Sequence, residues 1–131
     1  MTTSKLQKDA DRLFSLWVRQ RDADNLGLAK CCTCQKILSW RNIHCGHFMS
    51  RRYNSTRYDE KNTGPQCTGC NTYNQGKQYE FSIYLDEKYG KGTSKKMLTK
   101  SKMDCKRTRV DYQYLIKDLK TKLKENNFVI R

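Results

Sequence analysis

Apolar residues recur at spacings of three and four between residues 5 and 21, at Leu6, Ala10, Leu13, Phe14 and Trp17. That period places them on one stripe of an amphipathic helix, which Asn25 and Gly27 then break. The same spacing returns at Tyr112, Leu115, Ile116, Leu119 and Leu123, predicting a last helix over 108–125. A further helix is expected from Lys77 to Tyr89, built on Tyr79, Ile83 and neighbouring aromatics and ended by Gly90. The stretch 90–106, rich in lysine and carrying Gly92 and Ser94, reads as a linker. Between 28 and 75 the periodicity collapses into a short, irregular, cysteine-rich segment. Trp40 to Phe48 is its best strand, although the alternation is weak, and Gly64-Pro65 reads as a turn. A helix is expected to start near Cys67 and break near Gly76.

So little regular apolar surface suggests a small core. Only 36% of the 131 residues are hydrophobic and the mean hydropathy is −0.98, so a structural metal would help hold the chain together. The net charge is +14, which points to a polyanionic partner, most commonly nucleic acid. The charge is uneven: residues 1–87 hold 13 basic and 9 acidic residues, and residues 88–131 hold 14 and 4. The opening MTTSKLQKDADRLF lacks the apolar stretch of a signal peptide, and no segment approaches membrane-spanning length. A reducing, cytoplasmic setting follows as an expectation.

In that setting, paired cysteines more often bind metal than form disulfides. Among the seven cysteines, Cys31-x2-Cys34 and Cys67-x2-Cys70 form two knuckles. Four thiolates so arranged can close a tetrahedron around Zn²⁺. Cys32 offers a competing register, but only with an x1 spacing to Cys34, so Cys31 is preferred. A closed four-cysteine site is structural and does no chemistry itself. The 32 residues between the knuckles exceed what a simple zinc ribbon needs, and they contain both histidines, His44 and His47.

Those histidines lie in HCGHFMSRR. A neutral histidine suits a general base, and Arg51 and Arg52 directly after it suit phosphate. By themselves they are equally compatible with a second zinc site that uses Cys45.

The ordered combination of Cys31-x2-Cys34, HCGHF (44–48), RYDEKN (57–62) and PQCTGCN (65–71) is similar to the NinG/Rap family of lambdoid phage recombination nucleases. It also resembles the wider HNH, or His-Me finger, endonucleases with a treble-clef zinc site. FSLWVRQRDAD (14–24) resembles the helix before the first knuckle in NinG, so the likeness covers about residues 10–90. The resemblance implies an α+β, mostly helical fold: a small treble-clef ββα-metal core with a four-cysteine zinc site, flanked by N- and C-terminal helices. The expected organisation is an N-terminal helix over 1–27, a zinc-bound HNH-like nuclease core over 28–90, and a basic linker with a C-terminal helix over 91–131.

The resemblance also assigns roles. His47 matches the general base at the end of the first hairpin strand. Asn71 matches a ligand of the catalytic metal. Asn62 matches the residue that ties the loop to the hairpin. Cys31, Cys34, Cys67 and Cys70 match the zinc ligands. Many relatives carry Asp or His directly before the base, where this chain has Gly46. His44 is the natural substitute, if Gly46 permits a bulge that brings both rings together. Asp59 is a backup ligand, with a salt bridge to Arg57 or a loop hydrogen bond as its plainer role. The expected cofactors are structural Zn²⁺ and catalytic Mg²⁺ or Mn²⁺. The expected partner is DNA, with branched forms such as Holliday junctions included, held by Arg51, Arg52, Arg57, Lys95 and Lys96. No membrane partner is expected, and a homodimer stays open. The competing expectation is a non-catalytic zinc-finger module that binds DNA or protein.

Overall fold

A computed structural model describes residues 2–131. The chain is mixed α+β and about half helical. Among the described residues the order is α1 (Thr3–Arg21), β1 (Leu28–Lys30), β2 (Ile37–Ser39), β3 (His44–His47), β4 (Thr63–Gln66), a π-helical turn (Gly69–Tyr73), α2 (Gln78–Tyr89), α3 (Thr93–Ser101) and α4 (Arg109–Glu125).

The two long helices form where their apolar stripes predict them, and the stripes face each other. Leu6, Ala10, Leu13, Phe14, Leu16 and Val18 of α1 share one buried cluster with Tyr112, Ile116, Leu119 and Leu123 of α4. Burying each of the larger side chains contributes on the order of 1.5–3 kcal/mol. Thr2 caps α1 by accepting from the Lys5 N–H, and Thr108 with Asp111 forms a capping box on α4. The C-terminal segment is therefore part of the main core, not a detachable basic arm.

The middle of the chain builds two short antiparallel hairpins, β1–β2 and β3–β4. The first carries Cys31 and Cys34 at its turn, where the Cys31 N–H donates to Lys36 O and Gln35 adopts a left-handed φ of 70°. In the second, His44 pairs with Gln66, Cys45 with Pro65, Gly46 with Gly64 and His47 with Thr63.

Several local expectations need correction. The strand expected over 40–48 is confined to His44–His47. Gly64-Pro65 is not a turn: both residues lie inside β4, where proline is tolerated because this strand pairs on one side only. Cys67 precedes a π-helical turn, not a regular helix. On α2 the buried face is Phe81 and Leu85, while Tyr79 and Ile83 are 74% and 41% exposed. The linker expected over 90–106 contains α3, whose Met97 joins Phe48, Met49, Phe81 and Leu85 in a second cluster. Lysine is a good helix former, so Lys95 and Lys96 sit exposed on an ordered helix.

Candidate functional site

The four knuckle cysteines converge. Their Sγ atoms all lie within 4.8 Å of one another, and Cys34 Sγ is 3.6 Å from Cys67 Sγ. A tetrahedron with Zn–S bonds of about 2.3 Å has edges of about 3.8 Å, so the site could hold a zinc ion. Burial disfavours the Cys31 thiolate, but the Thr33 hydroxyl and backbone N–H groups outweigh it and bring Cys31 down to about 6. Burial and the neighbouring thiols push Cys70 up to about 12. Thiolates this close repel one another, and a divalent cation is what lets all four ionise. Cys32 points away into the cluster with Phe81 and Leu85, so Cys31 is the cysteine that joins the site.

Beside this cluster a cleft of about 570 Å³ runs along β3, lined on one side by Asp11, Ser15 and Arg19 of α1 and on the other by Asn71 and Gln75. His44 and His47 both line it, as do Arg41 and Arg51, and no residue of β4 does. The register of β3 with β4 is unbroken, so Gly46 makes no bulge. His44 and His47 leave opposite faces of the strand, and both reach the cleft because it lies along the strand edge that β4 leaves free.

Each histidine is fixed by a different partner. His47 Nε2 lies 2.9 Å from the Arg57 backbone oxygen. A carbonyl only accepts, so Nε2 carries the proton and Nδ1 keeps its lone pair. Burial, helped by the Arg51 and Arg57 charges, depresses the His47 pKa to about 4, so the ring is neutral at pH 7. Phe14 backs it at 6.1 Å between ring centres. His44 instead meets the π-helical turn, with Nδ1 3.1 Å from Asn71 Nδ2 and Nε2 3.3 Å from the Thr68 hydroxyl.

Asn62 lies outside the cleft and is fully buried. Its side chain accepts from the Met49 N–H at 2.8 Å and donates to Met49 O at 2.9 Å and Thr56 O at 3.1 Å. It thereby clamps the loop that carries Arg57 against the hairpin. Glycine at 46 has a steric cause: a Cβ there would lie 2.3 Å from Gln66 Oε1 and 2.8 Å from Gln66 Cβ. A side chain at position 46 would have to displace Gln66.

Three expected site residues are engaged elsewhere. Asp59 caps a short 3-10 turn through the Lys61 N–H and pairs with Lys100 Nζ at 2.6 Å, and it does not line the cleft. Its partner is thus Lys100 and not Arg57. The Arg57 guanidinium is held by Asp11 at 3.0 and 2.6 Å and by Arg51 O at 2.7 Å. It is only 13% exposed, so it is not a free phosphate grip. Arg52 stacks on Tyr53 away from the cleft. His44, Cys45 and His47 do not gather as a ligand set among the described residues, which removes the second-zinc alternative. Burial pushes the Cys45 thiol up to about 12.

Sequence reasoning missed Asp11, Arg19 and Arg41. Asp11, Ser15 and Arg19 are spaced by four and form a polar stripe beside the buried face of α1, a signal that was legible. Arg19 and Arg41 flank the Trp40 ring at 5.6 and 4.5 Å.

A family model described as Bacteriophage Lambda NinG protein matches residues 2–127. The chain belongs to the NinG family. It is 26% identical over 120 residues to the protein ninG of Salmonella phage P22, a match that covers 86% of this chain and 57% of that relative's length. No solved structure matches. The NinG match includes both knuckles, the cleft histidines and both long helices, so α1 and α4 belong to the family's unit together with the cysteine core.

Proposed function

We propose that this NinG protein is a metal-dependent DNA endonuclease of the HNH, or His-Me finger, type, built on a treble-clef zinc core. Its setting would be phage recombination, with branched DNA such as Holliday junctions among its substrates. One observation carries the reading. The His47 ring is held at Nε2 by a backbone carbonyl, which leaves Nδ1 as a neutral proton acceptor on a cleft shared with the His44–Asn71 pair.

In this reading His47 Nδ1 takes a proton from water as the water oxygen bonds to phosphorus and the bond to the 3′ oxygen breaks. Asn71 and His44 would hold the divalent cation. Asn71 Nδ2 stands 3.1 Å from His44 Nδ1 as a hydrogen-bond donor, so a half-turn of the amide would bring Oδ1, the atom able to ligate, to about the 3 Å spacing expected of neighbouring ligands roughly 2.1 Å from one ion. A nitrogen–oxygen pair without a carboxylate suits Mn²⁺ at least as well as Mg²⁺. A cation there would offset charge on the phosphate and the leaving oxygen. Arg19, Arg41 and Arg51 line the cleft and would grip flanking phosphates. Lys95 and Lys96 lie further out on α3.

A second reading, a zinc module that binds DNA without cutting it, draws on Gly46, which leaves no side chain at the usual ligand position. A plasmid-nicking assay with and without Mg²⁺ or Mn²⁺ separates the two. Nicking that requires the metal and is lost in His47→Ala supports the nuclease. DNA binding without nicking in either metal supports the module.

A further inference from the structure

The strongest unused feature is the carboxylate of Asp11, on the helix that precedes the cysteine core. It is the hub of a network behind His47. Asp11 Oδ1 accepts from Arg57 Nε at 3.0 Å and from the Tyr58 hydroxyl at 2.8 Å, and Oδ2 accepts from Arg57 Nη2 at 2.6 Å. Arg51 Nη1 stands 3.6 Å from Oδ2. Both Asp11 oxygens thus grip the guanidinium in the planar two-point geometry that fixes orientation as well as distance. Arg57 is also tied by its Nη1 to Arg51 O at 2.7 Å, which closes the loop on itself.

What this network holds still is the Arg57 peptide, and the Arg57 carbonyl is the group that fixes the His47 ring. An exposed loop would let that carbonyl wander and both ring tautomers form. We infer that Asp11 is a positioning residue for His47, acting through the Arg57 side chain on the Arg57 carbonyl, so that α1 is part of the reactive site and not only of the core. For its catalytic consequence the inference rests on the nuclease reading above. Its geometric content does not need substrate.

Two functions meet on this one carboxylate. It orients the histidine through Arg57, and it offsets the Arg57 and Arg51 charges that would otherwise stand unopposed beside the ring. Arg51 is the outermost partner, 60% exposed and the longest contact, so it can turn to a phosphate while the Asp11–Arg57 pair stays closed.

The test uses the full, zinc-loaded chain without DNA. Ring ¹⁵N spectra of the wild type should show His47 as a single Nε2–H tautomer with a slowly exchanging proton. In Asp11→Ala that proton should exchange about tenfold faster or more, and the second tautomer should appear, because local opening replaces a held hydrogen bond. Asp11→Asn keeps the shape and removes one of the two Arg57 contacts, and it should lie between the two. It also serves if Asp11→Ala does not fold. If the nuclease reading holds, kcat should fall about 10–100-fold in Asp11→Ala, the scale expected for a mispositioned base, with zinc content unchanged and KM for DNA not raised, because loss of the carboxylate frees Arg51 for phosphate. Unaltered His47 tautomer and exchange in Asp11→Asn and Asp11→Ala would overturn the inference. So would a change no larger than the variant's loss of global stability. Absence of cleavage by the wild type would instead sink the nuclease reading and leave the His47 spectra as the judge of this one.

Discussion

Asn62→Ala is the most revealing single change outside the cleft. The Asn62 side chain is fully buried and makes three hydrogen bonds at 2.8, 2.9 and 3.1 Å to Met49 N, Met49 O and Thr56 O. Alanine removes all three partners at once and leaves a void too confined to restore them fully. At about 1 kcal/mol net per bond, with extra cost where a buried group stays unpaired, the loss should be about 3–5 kcal/mol. That is a large part of the 5–15 kcal/mol typical of a domain, and corresponds to a fall in Tm of roughly 10–20 °C for a chain of this size. Thermal melts followed by circular dichroism, at pH 7 with zinc in excess, measure it directly. Asn62→Asp adds a sign to the test. Its carboxyl has a single proton to donate, to one of the two carbonyls, and when ionised it faces both carbonyl oxygens with no donor, so its folded pKa must rise above the unfolded value near 3.9. The protonated form's stability is therefore complete below about pH 4 and is lost as pH rises through the raised folded pKa. Relative to wild type, Asn62→Asp should worsen from pH 4 toward pH 7. A loss below about 1 kcal/mol in Asn62→Ala, or a pH trend of the opposite sign in Asn62→Asp, would refute the view that this amide holds the Met49–Asn62 loop.

The cysteine cluster should bind one zinc per chain, and Cys67→Ser should lose the metal and unfold the centre of the chain; elemental analysis with melting checks both. His47→Ala should cut single-turnover cleavage about 10²–10⁴-fold while leaving zinc and DNA binding intact. The His47 pKa is depressed by burial to about 4, so its protonation should not slow the wild-type rate until pH falls toward 4. For the same reason the unfolded chain takes up this proton first, and stability should fall as pH drops from about 6.5 toward 4, a slope that His47→Gln should flatten. Gly46→Ala should cost about 1–3 kcal/mol by overpacking against Gln66, and Gln66→Ala in the same chain should recover part of it in denaturant titrations. DNA affinity should drop by orders of magnitude between roughly 50 and 200 mM salt if about 6–10 phosphates are engaged, and Lys95→Gln with Lys96→Gln should make that salt slope shallower. Deleting 91–131 would not test the tail charges, because α4 supplies four of the ten buried residues of the main cluster.

Local order and local chemistry were legible in the chain. The 3.6-residue period fixed both long helices, since an apolar stripe of 17–19 residues has few other ways to leave water. The spacing of two CxxC pairs named the four cysteines that converge, because two residues between thiols suit one tetrahedral ion. Tertiary structure decided what those patterns could not. Tyr79 and Ile83 carry apolar side chains yet face water, because Met97 of α3 and Phe48 and Met49 after β3 cover the opposite side of α2, at Phe81 and Leu85. A lysine-rich stretch became α3 once Met97 found a cluster and Lys100 found Asp59. Arg57 reads as a free phosphate grip until α1 packs across the loop and brings up Asp11, 46 residues earlier in sequence. Gly46 reads as a missing ligand until Gln66 fills the space beside it. In each case the deciding partner is distant in sequence. A pattern records which side chains seek burial or charge, and only the packed chain determines which partner is within reach.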